Sequence, residues 1–230
     1  MARPETQEEE FSRDVKPAVG AGVPRRTQAE RSRETRQRVL KAAAACVAEE
    51  GFGATNLARI AARAGVTTGA IQHQFGNKNT ALLSLVESGF NDMIAEVVKA
   101  RTLNGDLPTR ISTFIDALWH GYAGTQTQAS IEVLLVMRSD PEFGDKALSF
   151  LAGVGEMIDR LWMGAFWDTE LPRSVHVNSQ RLIFTTLNGL ALERSLLPAA
   201  PDVARDLARL KDQILEILQQ RDLVTAEIGS

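Results

Sequence analysis

Apolar residues recur three and four positions apart along most of the chain. No stretch alternates apolar with polar residues, so the pattern predicts helices throughout and no strands. The first helix opens between Thr27 and Ser32, where Thr27 and Glu30 have capping-box spacing. It buries Val39, Ala42, Ala43, Cys46 and Val47, and Gly51 ends it. Phe52 is expected to plug the junction with the next two helices, which are short. Thr55 can N-cap the first of these, which carries Leu57, Ile60, Ala61 and Ala64 on one face, and Gly65 supplies the positive φ that stops it. Thr67 starts the second, whose buried side is Ile71 and Phe75. A Gly76-Asn77 turn follows, and Asn77 caps a helix from Lys78 to about residue 102, long enough at ~1.5 Å per residue to join two lobes. Further helical segments span 108–124, 127–139, 141–167, 175–197 and 201–222. Pro108 suits a first helical turn, and breaks fall at Gly124, Asp140-Pro141, Leu171-Pro172 and Leu197-Pro198. The predicted class is all-α.

The two short helices carry the candidate chemistry. Opposite Ile71 and Phe75, the second presents Thr68, Ala70, Gln72 and His73, a small, hydrogen-bonding face without an acid. Such a helix fits the major groove of DNA, with its N-terminal residues nearest the base edges. Net charge alone argues otherwise, being −3 over 230 residues, but the charge is segregated. Residues 25–78 hold ten Lys/Arg against four Asp/Glu, whereas residues 79–230 hold thirteen against twenty. A phosphate-facing lobe and a lobe that avoids DNA would be charged in this way. Arg25, Arg26, Arg31, Arg33, Arg36 and Arg38 gather ahead of the helical pair as candidate phosphate contacts, some of them as an arm into a minor groove. The Glu-, Pro- and Gly-rich residues before them lack periodicity and are expected to be disordered. The lone Cys46 sits on an apolar face and reads as a small core residue. No apolar run reaches the ~20 residues of a membrane span, and no secretory signal opens the chain, so a cytoplasmic protein is expected.

Residues 35–82 contain, in order, GF at 51–52, Thr55, IA at 60–61, AGV at 64–66, Gly69, HxF at 73–75, Lys78 and Leu82. This segment resembles the DNA-binding domain of the TetR family of bacterial transcriptional regulators. The resemblance implies a three-helix helix-turn-helix domain over 27–78, after a tail of 1–26, joined by the long helix to an all-helical effector-binding and dimerisation domain over 79–230. It also implies that Thr55, Thr67, Gln72 and Lys78 contact phosphates and that Thr68, Ala70 and His73 face base edges. Gly69 would let the helix sit close to the groove. Gln72 stands where the family usually has tyrosine, and Gln74 where it has Tyr or His, so base preference does not carry over.

Two roles suit the second half. Leu182, Leu187 and Leu190, with Val203, Leu207, Leu210, Ile214 and Leu218, can build a four-helix homodimer interface from 175–197 and 201–222. A two-fold dimer would match a palindromic operator in double-stranded DNA, with half-sites about 34 Å apart. A small apolar or amphipathic effector could bind among Trp119, Tyr122, Leu134, Arg138, Trp162, Phe166, Phe184 and Asn188, although the same residues describe an ordinary core. Arg138 can pair with an acidic effector or with Glu132 or Asp140. Catalysis is not expected: no HxxxH or CxxC spacing and no glycine-rich phosphate loop occurs, and neither metal nor cofactor is called for. The reading is a repressor released from its operator by a small molecule, the alternative being a constitutive or architectural DNA-binding dimer.

Overall fold

The computed structural model describes residues 27–100, 105–138, 140, 143–197 and 202–219. The 1–26 tail with Arg25 and Arg26, and the far ends expected for the helices reaching 102 and 222, lie outside the described residues. Nine α-helices follow one another among those described: α1 Gln28–Ala54, α2 Leu57–Ala64, α3 Thr68–Phe75, α4 Lys78–Ala100, α5 Leu107–Tyr122, α6 Thr125–Met137, α7 Gly144–Ala165, α8 Arg173–Leu196 and α9 Val203–Gln219. A 3₁₀ turn, Trp167–Thr169, follows α7. The fold is all-α.

Polar residues at the helix ends set these boundaries. The Thr27 hydroxyl accepts the Glu30 N–H (3.2 Å) while the Glu30 carboxylate accepts the Thr27 N–H (2.7 Å), a complete capping box. Asn77 Oδ1 accepts the Thr80 N–H at the start of α4, and Asp106 accepts the Thr109 N–H at the start of α5, where Pro108 sits in the first turn. Gly65 closes α2 in the left-handed region (φ 64°, ψ 39°). Gly51 breaks α1 internally, with φ 81° and ψ 161°, so its last residues form a separate turn.

One cap differs from the sequence reading. Asn56, not Thr55, caps α2 by accepting the Arg59 N–H at 3.1 Å. Thr55 is 1% exposed, and its hydroxyl and N–H both donate to the Gly51 carbonyl. Two cap-competent residues stand side by side, and the bend at Gly51 turns the first one inward.

Helices α1, α2 and α3 pack around Val39, Ala43, Val47, Ile60 and Ile71, and the first half of α4 closes this bundle with Leu82, Leu85 and Val86. The second half of α4 runs between α5 and α6. At Gly89 a Cβ would come within 2.6 Å of Ser130 Oγ, so only glycine lets α4 and α6 approach this closely. Hydrogen bonds stitch the same pair: Gln126 donates to Ser88 and Asp92, and Ser130 donates to the Leu85 carbonyl. Helices α8 and α9 pack on α5. Leu187, Leu190, Leu207, Leu210, Ile214 and Leu218, expected at a subunit interface, are instead buried within the one chain. Each fully buried leucine contributes roughly 1.5–3 kcal/mol, and this stripe holds α9 in place. The apolar side chains that α8 turns outward are others, among them Leu192 and Leu196, 52% and 70% exposed.

Candidate nucleic-acid interface and ligand cavity

Helix α3 is anchored by two residues and presents the rest. Ile71 and Phe75 are buried, and the Thr67 hydroxyl accepts the Ala70 N–H at 3.1 Å. Thr67, Gly69, Ala70, Gln72 and His73 are exposed, Thr68 is half-buried, and no acid interrupts them. A Cβ at Gly69 would meet nothing closer than Thr67 Oγ1 at 3.9 Å. The protein itself therefore does not need glycine there; only an external surface would.

The supporting charges are arranged less simply than the sequence suggests. Arg36 lies over the Phe75 ring, 4.7 Å from its centroid, while Arg31, Arg33 and Arg38 are exposed. On α2, Arg63 pairs with Glu49 and Arg59 with Glu50, which returns two of the lobe's positive charges to α1. Gln74 donates to the Ser32 carbonyl at 3.3 Å, holding α3 against the start of α1. Lys78 is turned inward: its Nζ donates to the Phe52 carbonyl at 2.9 Å and sits 4.3 Å from the centroid of the Phe52 ring. Partial burial lowers its proton affinity from the ordinary lysine value. Of the residues expected at phosphates, Thr55 is thus buried and Lys78 is engaged internally, whereas Thr67 and Gln72 are exposed.

A cavity of about 440 Å³ opens among α4, α5, α6, α7 and α8, within the size range of small-molecule sites. Tyr122, Leu134, Phe184 and Asn188 line it, as expected from the sequence. Trp162 and Phe166 do not. Both are fully buried in an aromatic core with Phe114, with centroids 4.3 Å apart. The Trp162 indole N–H donates to His176 Nδ1 at 3.1 Å, so the other ring nitrogen carries the proton and meets the Thr169 hydroxyl at 3.4 Å. Thr169 in turn donates to the Phe166 carbonyl. Trp119 is half-buried away from the cavity, and Arg138 is an exposed cap at the end of α6. The proposed salt partner Glu132 is used elsewhere, accepting the Phe52 N–H at 2.8 Å.

The cavity also contains residues that the sequence reading missed. Phe90 and Met93 come from α4, and Leu151, Val154, Gly155 and Ile158 from α7. The Val154 and Ile158 pair is spaced four apart, as in any core helix, and only Gly155 carried a distinguishing signal. A Cβ there would meet nothing within 4 Å. A second hollow of about 350 Å³ adjoins the first and shares Ile131, Leu135 and Asn188 with it; Glu132 lies in its wall.

Among the described residues no helix is long and apolar enough to cross a membrane, and no group of three or more His, Cys, Asp or Glu is placed to hold a metal ion.

Residues 39–85 match the family model for bacterial regulatory proteins of the tetR family. Among curated proteins, the HTH-type transcriptional regulator CymR of Pseudomonas putida is 27% identical over 86% of this chain and 95% of its own. The fatty acid metabolism regulator protein of Bacillus subtilis is 24% identical over 78% of this chain and 91% of its own. Among solved structures, the fatty acid degradation regulator FadR from Bacillus halodurans superposes with a TM-score of 0.59 at 22% identity, covering 79% of this chain and 96% of its own, a likeness of fold. The α1–α4 segment thus carries the tetR-family signature of bacterial regulatory proteins, and relatives that are transcriptional regulators align along most of the chain.

Proposed function

We propose that the chain is a ligand-responsive repressor, a homodimer that places two copies of α3 in successive major grooves of a palindromic operator. It leaves that operator when a small apolar or amphipathic molecule fills the cavity. The observation that carries the reading is the exposed, acid-free face of α3 in a subunit whose other half contains a lined cavity. Thr67, Gly69, Ala70, Gln72 and His73, with half-buried Thr68, are the proposed DNA contacts, and Arg31, Arg33 and Arg38 supply phosphate attraction. We assign residues 27–78 to DNA binding and 79–230 to effector binding and dimerisation. Outward Leu192 and Leu196 on α8 are apolar residues that a second subunit would cover.

Release requires the effector to bind the non-DNA-binding arrangement more tightly, since equal affinity for both shifts nothing. Helix α4 is the lever, because it supports α3 at one end and walls the cavity with Phe90 and Met93 at the other. Selection of bound duplexes from a random pool tests the whole reading. A symmetric site with half-sites about one turn apart is expected, emptied by effector. An asymmetric site gripped by single subunits, or operator affinity unchanged with the cavity saturated, overturns it.

A further inference from the structure

The two hollows are unusual in what they lack. None of the described residues lining either one is a lysine, arginine or histidine, and the one carboxylic acid among them is Glu132. The polar groups of the larger cavity are Tyr122 and Asn188. Asn188 Nδ2 donates to the Phe184 carbonyl (2.9 Å) and lies 3.4 Å from the Tyr122 oxygen. With its oxygen accepting and its amide nitrogen engaged, this pair leaves one phenolic proton to donate and one carboxamide oxygen to accept. Burial pushes the Tyr122 pKa up to about 12, which keeps that proton in place at neutral pH.

We propose that the cavity takes an uncharged, mainly apolar molecule whose single hydroxyl docks between Tyr122 and Asn188, and that it discriminates against free acids. The inference rests on the effector-binding reading above for its regulatory meaning, and it names the chemical class of the effector. A hydroxyl satisfies both groups at once, receiving the phenolic hydrogen and donating to Oδ1 of Asn188. A carboxylate can use the phenol but faces Oδ1 as a like dipole, with no cation to compensate its lost water. The adjoining hollow offers an anion no better place, because its one charged lining residue is the Glu132 carboxylate. The walls meanwhile suit any apolar body: Phe90, Leu134, Leu151, Val154 and Phe184 offer only carbon.

Calorimetric titration of the full-length protein with matched alkyl series tests this directly. Primary alcohols, the corresponding carboxylates and the corresponding amines, from four to twelve carbons, are compared at pH 7.5. The alcohols are expected to bind at least about ten-fold more tightly than acids of equal length. Tyr122→Phe, which keeps the ring and its packing, should erase most of that preference, and Gly155→Leu should block the whole series by occupying the open space beside α7. Acids or amines binding as tightly as alcohols overturn the inference, as does failure of every series to bind, or a preference that survives both substitutions. Because binding is read without DNA, the two readings fail separately. Alcohol binding with unchanged operator affinity would remove the regulatory role and leave this assignment, whereas release by acids would do the reverse.

Discussion

Glu132 on α6 accepts the backbone N–H of Phe52 at 2.8 Å, across 80 positions of sequence. The Phe52 carbonyl takes Lys78 Nζ at 2.9 Å. One residue at the bent end of α1 is thus held on one side by the helix that walls the cavity and on the other by the first residue of α4. Ile131 and Leu134, the neighbours of Glu132, line the cavity itself. A movement of α6 would therefore reach the start of α4, just after α3, through a single residue.

Removing the acceptor should be felt first in stability. Glu132→Ala leaves the Phe52 N–H without its charged partner and is expected to cost about 1–3 kcal/mol in denaturant unfolding, with Glu132→Gln milder because an acceptor remains. Paired with Lys78→Met, the losses should be non-additive, since both groups grip the same residue. Strict additivity in that cycle would show that the two contacts act independently. In operator assays, Glu132→Ala should weaken the coupling between ligand and DNA more than it weakens ligand binding.

Gly69 gives a cleaner separation of fold from recognition. Its Cβ position is open within the protein, so Gly69→Ala should leave the melting temperature level or slightly raised, in keeping with alanine's better helix propensity. Operator affinity should fall by about ten-fold or more if α3 seats as proposed. Unchanged affinity would mean that the helix does not approach the duplex at this point.

His73 is exposed on the same face, and its removal should alter selectivity rather than stability. In a binding selection His73→Ala is expected to flatten base preference at one position of each half-site, a loss of about 1–3 kcal/mol of discrimination. A uniform weakening over all sequences would reassign it to phosphate.

His176 sets an acid limit on the second half of the chain. Burial, with a smaller contribution from Arg173, lowers its pKa below the usual 6.5, and the neutral ring accepts from Trp162. The unfolded chain takes up a proton that the folded one resists, so the contribution is complete above about pH 6.5. It is lost as pH falls from there toward the depressed folded-state value. Carboxylate effects lie lower, near their ordinary pKa values of about 4. Urea midpoints followed by tryptophan fluorescence should drop between neutrality and pH 5.5, and His176→Gln should remove most of that slope. A flat profile in the wild-type protein would contradict the assignment.

Helix number and order were legible because Gly, Asn, Asp and Pro punctuate the apolar stripes, and the exposed face of α3 was legible because its buried pair, Ile71 and Phe75, fixes which face remains. Other readings depended on what a stripe packs against, which periodicity does not encode. Leu207, Leu210, Ile214 and Leu218 have the same spacing whether they meet α5 or a second subunit. Trp162 and Phe166 have the same character in a sealed core as in a cavity wall. Thr55 failed for a local reason, since the bend at Gly51 rotates it toward the chain it was expected to leave. Gly155 was visible but mute, because a missing side chain implies room only once its neighbours are known.

The grip on residue 52 has a consequence for divergence. Glu132 and Lys78 hold main-chain atoms, which every amino acid but one supplies in full, and the ring adds a face for the Lys78 ammonium. Proline alone would sever it, having no hydrogen to offer the carboxylate. Variation among descendants of this chain should therefore exclude proline at position 52, favour a ring there, and be narrow at 132.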